Sequence, residues 1–137
     1  MQPHREPTAV LASLCSLCAI LLGAASDEVD RAVIGAHWRQ RLQNIFKRGR
    51  EVRSGADTKK FLDVQYAGLV ADPIGTVRHI YEYHSYEFTG EFETNMQQWL
   101  AENRQHQHGA HNYSLEEYSL NAAQVKLDFA DYSGDLL

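Results

Sequence analysis

Two cysteines, three prolines and nine glycines in 137 residues exclude several kinds of protein before any pattern is sought. Cys15 and Cys18 are too few for the disulfide framework of a small secreted domain, and thiols three residues apart on a helix fit a mutual bridge poorly. So little Pro and Gly, beside 44% hydrophobic and 23% charged residues, rules out a collagen, a low-complexity chain and a disordered tail. No internal repeat is present. A chain of this length holds one modest domain, 1–137, with material for a packed core.

Dense positive charge is missing as well. Residues 1–60 carry 10 Lys and Arg against 6 Asp and Glu, and residues 61–137 carry 3 against 12, so the two parts sum to +4 and −9. That leaves no basic face for a nucleic acid, although the first part suits a small anion. Also absent is a Gly-rich phosphate loop ending in Lys: Lys47, Lys59, Lys60 and Lys126 all lie outside any G-x-x-x-x-G-K-like setting.

Residues 7–26 carry no charge, and TAVLASLCSLCAILLGAA ends in small residues. One reading is an export signal or membrane anchor, with Arg5 as its single firm positive charge. The other is a buried helix, because Val10, Leu14, Leu17 and Leu21 recur at spacings that share one face. On the residues alone both stand. Cys15-x-x-Cys18 is also the spacing of redox and zinc sites, but a thioredoxin-type site needs a preceding strand and zinc needs further ligands. Apolar packing of two small thiols is the simpler expectation.

The remainder reads as helix-rich α/β. Ser26 suits the cap of a helix with Asp27 and Glu28 in its first turn, the stripe Ile34, Trp38, Leu42 and Ile45, and Lys47 and Arg48 before Gly49. A polar loop over 49–59 leads to a strand over 61–66, where Leu62, Val64 and Tyr66 alternate with polar neighbours. Asp72 caps and Pro73 opens a helix with the stripe Ile74, Val77 and Ile80. Thr89 caps another, faced by Phe92, Met96, Trp99 and Leu100. Residues 104–113 lack a period and read as a loop. Ser114-Leu115-Glu116-Glu117 matches a capping box, and a last short helix falls around 121–129.

Three segments carry a resemblance. His4-Arg5-Glu6-Pro7 followed by Ser13 resembles the sulfotransferase superfamily segment in which an Arg, and a Ser eight residues on, grip the 3′-phosphate of the sulfate donor PAPS. Tyr66-Ala67-Gly68-Leu69-Val70-Ala71-Asp72-Pro73 is similar to that superfamily's Y-x-x-L-x-x-D-P strand-to-helix junction, whose Tyr approaches the donor's adenine. Gln107-His108-Gly109-Ala110-His111-Asn112-Tyr113-Ser114 resembles the basic loop before the C-terminal helix of bacterial-type members. There Gln107, Ala110 and Asn112 replace expected cations, which leaves Gly109 N–H and His108 or His111 to meet a phosphate. Ser85 and Ser119 stand where Gly is usual.

The resemblance implies the helix-rich C-terminal part of a P-loop-type, nucleoside-triphosphate-hydrolase-like sulfotransferase fold, with about five helices and one or two strands. It selects the buried-helix reading of 7–26 and a cytoplasmic setting. It implies a nucleotide sulfate donor, PAPS or its desulfated form PAP, held by Arg5, Ser13, Tyr66, His108, Gly109 and His111, with an unidentified acceptor. The reaction implied is in-line sulfuryl transfer to a hydroxyl or amine. The family's phosphosulfate loop and base lie upstream of the matching segments, so the resemblance implies a truncated, partial domain, with no catalytic residue here and no activity alone.

Three rivals are of other kinds. Cys15 and Cys18 with His106, His108 and His111 are suitable zinc ligands by type, though only folding brings them together. A secreted protein, with 1–25 as signal peptide, gives the sequon Asn112-Tyr113-Ser114 a use. A non-catalytic interaction module needs a second copy or partner chain over its exposed sheet edge, because the strand 61–66 has no evident neighbour.

Overall fold

A computed structural model of the chain describes residues 1–103 and 113–136, the last three as backbone alone. It divides into two compact units, one of residues 1–4 with 59–111 and the other of residues 5–58 with 112–137. The helix-rich α/β class expected from the sequence is the class observed.

In the first unit, β1 (Gln2–His4) and β2 (Asp63–Gln65) pair in parallel, in the register Gln2↔Asp63, Pro3↔Val64 and His4↔Gln65. The second strand therefore has a neighbour, contrary to expectation. Three residues gave no periodic signal, and the partner lies 59 residues away. His4 is buried at 1% exposure and its Nε2 meets Asp63 Oδ1 at 2.5 Å, so a side-chain bond reinforces the two-stranded ladder. Tyr66 ends the strand early by opening α3 (Tyr66–Ala71).

Next, α4 (Pro73–Tyr83) starts as the sequence demands: Asp72 accepts from Gly75 N at 2.9 Å and Pro73 occupies the first turn. Thr89 Oγ1 accepts from Phe92 N at 3.2 Å and starts α5 (Gly90–Glu102). Tyr81 packs between them, stacked on Phe92 at 5.1 Å and edge-on to Phe88 at 5.6 Å. Arg78 lies 4.5 Å above Phe88 and pairs with Glu93 at 2.8 Å.

The second unit is helical. Its α1 (Pro7–Gly23) buries Leu11 and Cys15 completely, while Leu17 and Leu21 are 53% and 63% exposed. The face expected from Val10, Leu14, Leu17 and Leu21 is therefore rotated, because a helix apolar all round has no stripe to read. Longer than foreseen, α2 (Arg31–Ser54) is capped by Asp30, which accepts from Val33 N at 3.1 Å. Ser26 closes its own turn with Glu28 instead. The helix also runs through Gly49, whose absent side chain would meet open space, so one exposed glycine did not stop it.

Ile34, Leu42, Leu115, Tyr118, Leu120, Val125 and Phe129 form the core with Leu11, Ala12 and Cys15. Trp38 and Phe46 pack against its edge, and Ile45 stays exposed. Gly35 is needed here: a Cβ would come within 2.2 Å of the Tyr118 carbonyl oxygen. Residues 116–118 form a 3-10 turn rather than the expected capping box, since Ser114 Oγ donates to the Glu116 carboxylate at 2.7 Å. That hydrogen bond holds the Glu116 carboxyl below its usual pKa. Asn121 caps α6 (Ala122–Asp128) through Gln124 N, and α7 (Ala130–Leu136) follows. The described residues thus hold seven α-helices where about five were expected.

Ser85 and Ser119 have φ of 55° and 56°, which explains why glycine suits both places. Left-handed backbone strains an L side chain by roughly 1–2 kcal/mol, partly offset by glycine's greater entropy loss. Ser85→Gly and Ser119→Gly are each expected to raise stability by about 0.5–1 kcal/mol in urea unfolding.

Arg39 donates to Asp128, which also accepts from Gln124 Nε2 at 3.2 Å. The Arg39 hydrogen bond leads in holding the Asp128 carboxyl below its ordinary value, against an opposing effect of burial. Such a group adds stability above its unfolded pKa, and that stability is lost as pH falls through the depressed folded value. Asp128→Asn should therefore lower stability at pH 7, with the gap to the native chain closing as pH drops below about 4.

Candidate functional site

The site begins where β1 ends. His4 closes the strand, Arg5 follows with its side chain exposed, and Pro7 occupies the first turn of α1. The first turn of α1 has no acidic residue, and its N-cap, Glu6, makes no side-chain capping bond. Its leading N–H groups and the positive end of the helix dipole are therefore not matched by a first-turn carboxylate. Ser13 stands in the second turn, half-buried. A helix rises about 1.5 Å per residue, so Ser13 sits roughly 9 Å along the axis from Pro7.

Ala9 and Ser13, four residues apart, share a face with Ala12 beside them. Thr8, Ala9 and Ala12 line a small cavity of about 300 Å³, walled on its other side by Tyr113, Leu115 and Glu116. Two alanines there leave room that larger residues would fill. The Arg5 and Ser13 expectations thus fall in one unit, around one helix start. What the sequence reading missed is the cavity, and its one signal was Ala9 and Ala12 spaced three apart next to Ser13.

Tyr66 belongs to the other unit, 36% exposed where β2 passes into α3. His108, Gly109 and His111 lie outside the described residues, as do His106 and Asn112. Among the described residues, no group of three or more His, Cys, Asp or Glu is placed to hold a metal. Nor is any of their helices long and apolar enough to cross a membrane.

Cys15 and Cys18 are both on α1 as free thiols. Burial, followed by the neighbouring Cys18, pushes Cys15 up to about 11, the opposite of a redox-active thiol. In the native chain at pH 8, a soluble disulfide reagent should leave Cys15 unmodified until denaturant is added, as read by peptide mass.

A parallel strand pair accompanied by seven helices among the described residues defines a helix-rich α/β protein. The particular class is given by comparison. Residues 2–90 match the model of a sulfotransferase family, and the chain belongs to that family. The fold is similar to sulfotransferase STF9 from Mycobacterium avium, with a TM-score of 0.85 and 26% identity over 96% of this chain and 34% of that one. It is also similar to sulfotransferase STF1 from Mycobacterium tuberculosis H37Rv, with a TM-score of 0.71 and 30% identity over 93% and 32%. The chain spans about a third of the length of these two proteins. No curated protein matches it.

Proposed function

We propose that this chain carries the 3′-phosphate and adenine side of a PAPS site, used in transferring a sulfuryl group to an acceptor hydroxyl or amine. The observation that carries this reading is the placement of Arg5 just after β1 and of Ser13 in the second turn of α1. Arg5 brings a fixed charge with a forked set of donors, and Ser13 adds a hydroxyl, so a phosphate at the helix start meets both. Tyr66 offers a ring for adenine on the strength of its motif. His108, Gly109 and His111 complete the phosphate contacts in the same reading.

In-line transfer further requires cations over the developing charge and a base for the acceptor. We assign neither to these residues, so the chain by itself binds the donor without turning it over. A cytoplasmic setting belongs to the same reading, and two unpaired thiols suit a reducing compartment.

Calorimetric titration with PAP tests it. Arg5→Ala should weaken binding by about ten-fold or more and Ser13→Ala by several-fold, in line with charged and neutral hydrogen bonds, while His106→Ala changes nothing. Absence of PAP binding by a folded chain would overturn the donor reading and leave family membership standing.

One observation favours a second reading, that of a non-catalytic interaction module. Leu17, Ile20, Leu21 and Leu22 of α1 are 53%, 64%, 63% and 45% exposed, an apolar strip of the kind that another chain or a second copy covers. A dimer in light scattering together with no PAP binding would favour it.

A further inference from the structure

His4 is the one buried polar or charged residue among those described. Its Nε2 meets Asp63 Oδ1 at 2.5 Å, and since a carboxylate only accepts, Nε2 carries the hydrogen and donates it. The Asp63 side chain is 37% exposed. The bond therefore joins an enclosed imidazole to a carboxylate that is open to solvent.

In the register of the two strands, His4 stands opposite Gln65, and Asp63 stands opposite Gln2. The side-chain bond is thus a diagonal from the last rung back to the first, with both residues on one face of the ladder. Backbone hydrogen bonds hold two strands side by side. A diagonal also fixes them along their length, because a slip of one residue carries the partner to the opposite face. Only three rungs make up this sheet, so one such bond weighs heavily in placing its end.

Fold stability is the weaker account of the pair. An imidazole loses its water on burial, and an apolar side chain of similar size would fill the same place without that cost. What the pair supplies is a fixed strand end. Arg5 is bonded directly to His4, and Tyr66 to Gln65, the residue opposite His4.

We propose that His4 and Asp63 are positioning residues for donor binding. By locking the last rung they fix the backbone from which Arg5 extends, which lowers the ordering cost of a contact between Arg5 and a phosphate. Neither residue touches the donor. The assignment rests on the PAPS reading, and the experiment below separates the failure of one from the failure of the other.

The experiment is a double-mutant cycle, read by calorimetric titration of the full chain with PAP. His4→Leu should weaken binding by about ten-fold, and in its presence Arg5→Ala should cost less than about two-fold, against about ten-fold in the native chain. Asp63→Ala, on the solvent-open side of the pair, should give the same loss and the same non-additivity with the buried residue untouched. His4→Gln, whose amide donates from near the place of Nε2, should recover affinity to within about three-fold of native. A merely structural pair would lower stability in urea and leave the PAP affinity of the folded chain native, which would overturn the assignment. So would additivity, with Arg5→Ala still costing about ten-fold beside both His4→Leu and Asp63→Ala. Either result overturns this assignment alone, whereas no PAP binding by the folded native chain overturns the donor reading and the assignment together.

Discussion

Burial of Leu11 and Cys15, neither with any exposed surface, is the contact on which the helical unit depends. They are one turn apart, and α2, the 116–118 turn and α6 supply the rest of the core around them. At about 100° per residue, Ser13 points roughly 200° away from Leu11 on the same helix. One short stretch of α1 therefore faces two ways: a side that packs against the core, and a side that presents small residues and a hydroxyl. Because Leu11 and Cys15 fix the helix about its axis, the core sets the direction in which Ser13 faces.

The uneven charge of the sequence finds a structural use here. Arg31, Arg39 and Arg50, all on α2, pair with Glu117, Asp128 and Asp131 from the acidic later part. Much of the positive charge that suggested an anion in the sequence is thus spent inside the unit. Two of these pairs are well exposed, where such contacts are worth from nothing to about 1 kcal/mol. Their effect is on register: three cations along a 24-residue helix meet three acids in order, which disfavours a shifted packing.

Where structure follows from neighbouring residues, the sequence was readable. Asp72 and Pro73 start α4, and Thr89 starts α5, because a cap needs only its own side chain and the next turn's N–H groups. The start of α2 misled because Ser26 and Asp30 are both good caps, and a serine that closes its own turn is lost to a helix. Rotation of α1 was unreadable for the opposite reason: with no polar side to contrast, only the packing partners choose the face. The bond from His4 to Asp63 spans 59 residues and leaves no local trace. Of the residues proposed for the donor, Arg5 and Ser13 fall where their spacing implies, just after a strand and in the second turn of the next helix, because that placement is local. The cavity lined by Thr8, Ala9 and Ala12 needed Tyr113 and Leu115, about a hundred residues further on.

The two ends of α1 differ in a way that bears on function. Leu11 and Cys15 are wholly enclosed, whereas Leu17, Ile20, Leu21 and Leu22 are exposed. A helix held at one end by close packing keeps that end's N–H groups in a fixed direction, which lowers the ordering cost of binding an anion there. Strain or motion at the C-terminal end need not reach Arg5, since the packed turn from Leu11 to Cys15 stands between. Rigid placement of this kind favours binding, but binding one phosphate of a donor does not stabilise charge at the sulfur end of the same molecule. Transfer chemistry requires groups aimed at that end, and in the proposed reading Arg5 and Ser13 face the 3′-phosphate, the part of the donor that does not react.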